Sequence, residues 1–368
     1  MKFEELKSIM ENFITDGEII SARAFGDGHI NDTFLVSCNK ADGKVTKYTL
    51  QHINSNVFPK PDEVMENIVN VTSFLKNKIA KNGGNPERET LSVVFAKDGK
   101  SYFLDENGLY WRVYPYIDDA LTYNMVNKPE DFCKCGSAVG NFMLLLADYP
   151  ASSLYETIKN FHNTPSRYND LMKAIEQDKA GRAASVAAEI EFVKQRKEFT
   201  EILVKANEKG EIPLRVTHND TKLNNVLFDR ASDEPICLID LDTIMPGFSA
   251  SDFGDAIRVG ANTGAEDEKE LSLVGIDLGL YEQFTKGYLE SCKNALTKRE
   301  LELLPYGAKM LTLECGMRFL TDYLNGDVYF KTHYADHNLV RCRSQFKLVT
   351  SMEENWDKMV EINNKYSK

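Results

Sequence analysis

The sequence is short of basic runs, of paired cysteines and of long apolar stretches, and each shortage excludes something. Lysine and arginine number 44 against 56 aspartates and glutamates, a formal net charge of −12. No dense basic cluster offsets this, so a polyanionic partner such as nucleic acid is not expected. The seven cysteines are odd in number and scattered. Cys133 and Cys135 lie close together, but no second pair completes a zinc site, so all are expected as reduced thiols in a cytoplasmic protein. No uninterrupted apolar stretch approaches the ~18–20 residues that span a bilayer, and no membrane partner is expected. The opening MKFEELKSIMENF carries acids within an apolar periodicity, which fits an amphipathic helix and not a signal peptide. Internal repeats, low-complexity segments and a Gly/Ser-rich linker are all missing.

What is present is ordinary globular composition, 42% hydrophobic and 27% charged over 368 residues. That excludes disordered and collagen-like chains, and at about 100–200 residues per domain it predicts two units. Aromatic and β-branched runs between Gly and Asp turn signals predict strands over 19–25, 33–38, 45–53, 91–96 and within 101–117. Helical spacing predicts helices over 2–15 and 63–79, then over 131–147, 182–206, 267–292, 298–324 and 338–366. A compact stretch, 214–242, alternates apolar runs with polar loops. The pattern is α+β: a small β-rich N-terminal lobe, 1–116, and a large helical C-terminal lobe, 117–368.

The informative segment is RVTHNDTKLNNVL, residues 215–227, followed by CLIDLD, residues 237–242. Asp220 lies in a polar loop entered from an apolar run, Asn225 follows five residues on, and Asp240 ends another apolar run. Phosphoryl transfer requires such a set. One carboxylate accepts the proton of an attacking hydroxyl, while an amide oxygen and a second carboxylate hold Mg²⁺ on nucleotide phosphates. Asp220 is therefore the expected base, and Asn225 and Asp240 the expected metal ligands. Asp252-Phe253-Gly254 spells D-F-G but lacks a preceding apolar strand. Asp252 is expected to prop the loop. Asp242 is open between a second metal-side role and a solvent-facing one.

Other signals are weaker. Gly26-Asp27-Gly28 between two strands suits either a hairpin or a phosphate-cradling turn, and His29 and Asn31 add polar side chains there. The third strand, KYTLQHI, carries Gln51 where kinases keep a lysine. Lys222, two residues past Asp220, is the expected substitute cation. In WRVYPYI, Pro115 has no N–H, so adenine would take its backbone donor from Tyr116 or Ile117. Arg318, within the apolar MLTLECGMRFLTDYL, needs a partner, either Asp322 or a ligand, and Tyr329 follows on a loop.

The Asp220, Asn225 and Asp240 combination resembles the aminoglycoside phosphotransferase and choline kinase superfamily, which has a bilobal protein-kinase-like fold. FGDGHIN, WRVY, RVTHNDTKLNN, IDLDTIMPG, DFGD and ECGMRFLTDYL resemble, in order and spacing, the bacterial N-acetylhexosamine 1-kinases. The resemblance runs from about Ile20 to Met352. It implies an ATP- and Mg²⁺-dependent kinase making N-acetylglucosamine or N-acetylgalactosamine 1-phosphate, with Asp220 as base at the anomeric hydroxyl. It implies ATP under Gly26 and Gly28 beside Gln51, and sugar contacts from Asp220, Arg318, Tyr329 and His29. The expected partners are ATP and a small sugar, with the chain a monomer. Competing readings keep the fold with choline, homoserine or an aminoglycoside as acceptor, or make the chain a non-catalytic nucleotide-binding module. A glycosyltransferase using Asp240-Leu241-Asp242 leaves HNDTKLNN without a role.

Overall fold

Alternating apolar residues build the first sheet. The computed structural model describes residues 1–26 and 30–368. Helix α1 (Phe3–Met10) leads into strands β1 (Glu18–Ala24), β2 (Asp32–Asn39) and β3 (Val45–Ile53), then helix α2 (Pro61–Lys81). Strands β4 (Phe103–Leu104), β5 (Tyr110–Pro115) and β6 (Ala120–Leu121) follow. The five-stranded sheet is antiparallel in the order β1-β2-β3-β5-β4. Leu6, Met10 and Phe13 pack with Val36, Cys38, Leu50, Trp111 and Val113 of the sheet. Helix α2 starts at Pro61, which needs no N–H there, with Asp62 and Glu63 in its first turn and Lys78 and Lys81 in its last.

Two expectations for this region fail. The first helix stops at Met10 instead of Thr15, because the Asn12 side chain donates to the Ser8 and Ile9 carbonyls and the chain turns so that Phe13 bridges Ala96. The segment 91–96 forms only isolated bridges, Val94 with Val113 and Ala96 with Phe13. The outer edge of β5 is shared between β4, opposite Tyr110 and Trp111, and Val94, which leaves no room for a full ladder.

Helices dominate the rest. After α3 (Pro129–Leu145) comes α4 (Thr164–Gln177), which the periodicity did not predict although Asn163 caps it through the Ser166 N–H and Pro165 sits in its first turn. The single helix expected over 182–206 is broken into α5 (Ala187–Lys194), α6 (Lys197–Thr200) and α7 (Ile202–Glu208). Arg196 ends the first piece by donating to the Phe192 carbonyl while pairing with Glu353. Short strands β7 (Arg215–Thr217), β8 (Val226–Asp229), β9 (Pro235–Leu238) and β10 (Met245–Gly247) occupy the alternating stretch. Then come α8 (Ser249–Gly260), α9 (Leu278–Cys292), α10 (Lys298–Asn325), α11 (His337–Glu354) and α12 (Trp356–Ser367). Helix α9 starts later than its expected Asp267, where the Asp277 side chain caps the Leu280 N–H. Among the described residues no helix is long and apolar enough to cross a membrane.

The elements gather into two units. One comprises Met1–Leu121, Ser153–Lys159 and Leu227–Met245; the other comprises Thr122–Ser152, Asn160–Val226 and Pro246–Lys368. In the second unit, α10 is buried on most of its faces, against Leu171 and Ala174 of α4 and Cys342, Phe346 and Val349 of α11. Against α8 it packs backbone to backbone. A Cβ on Gly307 would stand 1.9 Å from the Ala250 carbonyl oxygen, and one on Gly254 would stand 2.3 Å from the Gly307 oxygen.

This contact predicts the sign of a substitution that helix propensity alone gets wrong. Gly307→Ala gains about 1 kcal/mol of propensity, but the clash is with backbone and overpacking costs typically about 1–3 kcal/mol or more. Thermal unfolding is expected to show a lower Tm for the variant. An unchanged or higher Tm would mean that α8 and α10 can separate freely.

Candidate active site

In the second unit, β7 ends at Thr217 and the chain turns at once. Asn219 is in the left-handed region at φ 63°, a conformation that asparagine tolerates but that still costs of order 1–3 kcal/mol. Helix α8 holds the turn from behind. The Asp252 carboxylate, wholly buried, accepts the His218 N–H at 2.8 Å and the Asn219 N–H at 2.7 Å. The Thr221 hydroxyl donates to the Asp252 carbonyl at 2.5 Å, and the Thr221 N–H donates to Asp255 at 3.0 Å. His218 takes the Asp220 N–H on its Nδ1 at 3.3 Å. Burial pushes the Asp252 carboxyl up to about 6, against the pull of His218 and the two amides. The D-F-G carboxylate is thus a loop prop, as its sequence context suggested. Gly247 permits the close fit, since a Cβ there would sit 2.2 Å from the Thr217 hydroxyl.

The loop delivers three side chains to one place. Lys222 Nζ lies 2.9 Å from one Asp220 oxygen. Asn225 Nδ2 donates to the other oxygen at 2.9 Å and to the Asp220 carbonyl at 2.8 Å. These two bonds orient the buried amide, and among the described residues no donor takes its oxygen. An amide oxygen is a hard donor of the kind Mg²⁺ takes, since that ion keeps waters and substrate phosphates for its remaining positions. Among the described residues no group of three or more His, Cys, Asp or Glu gathers as a self-sufficient metal cage.

The same unit holds a cluster that sequence reasoning saw only in part. Arg318 on α10 is half-buried, with its guanidinium 5.5, 6.0 and 5.4 Å from the ring centres of Phe161, Tyr329 and Phe330. Among the described residues it has no ion-pair or hydrogen-bond partner. Asp322, its candidate partner, is occupied. It accepts the N–H groups of Val328, Tyr329 and Phe330 at 2.8–2.9 Å and the Asn338 amide at 2.9 Å. One turn before Arg318, the buried Glu314 takes the Thr164 hydroxyl at 2.6 Å and faces His162 Nδ1 at 2.8 Å. His162 Nε2 faces the Asn219 carbonyl at 3.3 Å. Nothing in the sequence marked His162. The signal for Glu314 was an acid within an otherwise apolar helix.

In the first unit, Gln51 on β3 pairs across to Arg112 on β5. Arg112 Nε donates to Gln51 Oε1 at 3.0 Å, and Gln51 Nε2 donates to the Thr33 hydroxyl at 3.0 Å. Arg112 is 1% exposed and ion-paired with Asp242, which is itself buried. Burial opposes the Arg112 charge, but Asp242 outweighs it and keeps the guanidinium protonated, with Asp240 adding to the effect. Asp242 is therefore not solvent-facing. Asn31 also donates to it at 2.5 Å and accepts the Asn54 N–H at 3.0 Å, so Asn31 is an internal strut. Asp240, two residues before, is exposed and left-handed at φ 60°. In the sequence, the legible sign of Arg112 is a charge on an otherwise apolar strand.

Of the two expected adenine donors, the Tyr116 N–H is taken by the Lys47 carbonyl at 3.0 Å, and among the described residues no acceptor is found for the Ile117 N–H. That leaves Ile117 as the available donor of the pair. Gly26 has φ 81° and open space around its Cβ position. Gly28 and His29 lie outside the described residues.

A family model described as the phosphotransferase enzyme family matches residues 21–272. Among solved structures, an aminoglycoside phosphotransferase from Alicyclobacillus acidocaldarius aligns over 98% of this chain and 95% of its own, with TM-score 0.61 and 11% identity. An amicoumacin kinase in complex with AMP-PNP, Ca²⁺ and Ami aligns over 94% and 93%, with TM-score 0.57 and 15% identity. A choline kinase from Cryptosporidium parvum aligns over 99% of both chains, with TM-score 0.57 and 15% identity. At these identities the likeness is one of fold.

The Arg112–Asp242 pair makes a testable claim about stability. Arg112→Met leaves a buried carboxylate unpaired and is expected to cost about 3–5 kcal/mol in chemical denaturation. The double variant Arg112→Met/Asp242→Leu is expected to recover much of that loss. Simple additivity of the two single losses would refute the coupling.

Proposed function

The chain belongs to the phosphotransferase enzyme family and has the protein-kinase-like fold, and from that premise we propose that it transfers the γ-phosphate of ATP to the 1-hydroxyl of an N-acetylhexosamine, N-acetylglucosamine or N-acetylgalactosamine. The observation that carries the acceptor class is Arg318. A guanidinium without a carboxylate, framed by three rings, sits on the helix whose Glu314 is tied through His162 to the loop of Asp220. Such a group suits the carbonyl and hydroxyl oxygens of a neutral sugar. It argues against choline, because a quaternary ammonium needs open aromatic faces, and these already frame a cation.

The roles follow from chemistry. Asp220 orients the sugar hydroxyl and takes its proton as the oxygen attacks the γ-phosphorus in line and ADP leaves. Lys222 supplies a cation at the transferring phosphate, the charge that Gln51 cannot give. Asn225 and Asp240 are the residues that would hold Mg²⁺, and a bound ion there neutralises phosphate charge. The turn at Gly26 and Gly28 would approach the phosphates, and Ile117 would offer its N–H to adenine. Arg318, Tyr329 and His29 would contact the sugar. In this reading residues 1–116 serve the nucleotide and 117–368 the acceptor.

Incubation with Mg-ATP and a panel of free hexosamines is expected to give the sugar 1-phosphate. A product phosphorylated on C6 would overturn the anomeric assignment. Asp220→Asn is expected to lower kcat by about 10²–10⁴-fold, and a near-normal kcat would remove Asp220 as base. Arg318→Ala is expected to raise the sugar KM about tenfold or more while the ATP KM stays unchanged. That amount corresponds to the loss of a charge-assisted hydrogen bond of about 1.5–3 kcal/mol.

A further inference from the structure

His162 is partly buried in the second unit with both ring nitrogens engaged. Its side chain is 12% exposed. Nδ1 faces a Glu314 carboxylate oxygen at 2.8 Å, and Nε2 faces the Asn219 backbone carbonyl at 3.3 Å. Both of these partners are acceptors. A neutral imidazole carries one N–H, so it can satisfy one of them and must turn a lone pair on the other; only the imidazolium donates to both. Glu314 is itself ionised. Burial works against its charge, but His162 and the Thr164 hydroxyl hold it below the usual carboxylate range.

We propose that His162 is held as an imidazolium that ties the Glu314 carboxylate of α10 to the Asn219 carbonyl, and that it acts as a positioning residue for Asp220. The role rests on the reading of Asp220 as the base. The Asn219 carbonyl is part of the peptide linking Asn219 to Asp220, and Asn219 itself is in a strained left-handed conformation. A charge-assisted bond at that carbonyl is therefore well placed to fix where the Asp220 side chain stands. The groups that act on the ring are Glu314 and Arg318 from α10 and Asp252 and Asp255 from α8. Burial lowers the His162 pKa and Arg318 opposes its charge, but Glu314 and Asp255 outweigh them and the value is raised from the usual 6.5. When the ring loses its proton, the strong Nδ1 bond to Glu314 persists and the Nε2 bond to the loop is lost. Turnover is then expected to fall as pH rises through the His162 pKa.

The test has two arms. A ring-nitrogen NMR titration of the full chain, without substrate, is expected to show both His162 nitrogens protonated at pH 6.5. A neutral ring at that pH would overturn the imidazolium. In the second arm, kcat is measured against pH with the acceptor that the hexosamine panel selects. The wild type is expected to show an alkaline limb at the pKa found by NMR. His162→Gln, which keeps a neutral donor, is expected to lose that limb and to drop kcat about 10–100-fold, the cost of a misplaced reacting group, with the ATP KM unchanged. Glu314→Gln removes the partner charge and is expected to move the limb to lower pH. An imidazolium by NMR with no alkaline limb, or a limb that stays put in Glu314→Gln, would overturn the positioning role. If Asp220→Asn keeps its activity, the base assignment fails, and the NMR result stands apart from it.

Discussion

The second unit is organised around one buried carboxylate. Asp252 gives both of its oxygens to backbone N–H groups of the 218–219 turn, and its neighbour one turn along α8, Asp255, takes the Thr221 N–H. An ionised group in such a place costs free energy, which is why its pKa is pushed up to about 6. The stabilising return is that a turn containing a left-handed asparagine has one conformation. Helix α8 is in turn set against α10 by the Gly254–Gly307 approach. Since α10 carries Glu314 and Arg318, the loop with Asp220 and the cluster around Arg318 share one rigid reference.

A second arrangement, in the first unit, concerns where charge is allowed. Gln51 stands at the strand position where kinases place a lysine, and the cation nearest to it is Arg112 on the neighbouring strand. Arg112 is buried and neutralised by Asp242, so its charge is internal and serves to anchor the segment that contains Asp240. Lys222, the cation of the 218–225 loop in the second unit, is itself paired with Asp220. The net charge of −12 has no bearing on this. Screening over a Debye length of about 8 Å leaves anion handling to local groups.

Much of this was legible in the residues. Strand β3 matches its expected limits, 45–53, with Tyr48, Leu50 and Ile53 buried along it. That Asp252 props the 218–219 turn followed from the lack of an apolar strand before it. The chain breaks were harder. The 182–206 region has helical periodicity throughout, yet it is cut where Arg196 turns to reach Glu353, a residue 157 positions away. The 91–96 run has strand composition, but whether it forms a ladder depended on how much of the β5 edge β4 left uncovered. Asn31, one of the polar side chains that follow the Gly26-Asp27-Gly28 segment, is an internal strut because Asp242 lies beside it in space.

The division has a physical reason. Local pattern determines which residues can be strand, helix or turn, and which short motifs carry carboxylates and amides at phosphotransfer spacing, because those depend on neighbours within a few positions. Pairings such as Arg112 with Asp242, Asp322 with the 328–330 backbone, and His162 with Glu314 and Asn219 depend on which buried group ends up beside which. The His162–Glu314 contact joins residues 152 positions apart. At such separations burial and hydrogen-bond satisfaction choose the partner, and only the tertiary structure decided that a histidine unmarked in the sequence stands between the Asp220 loop and the Arg318 helix.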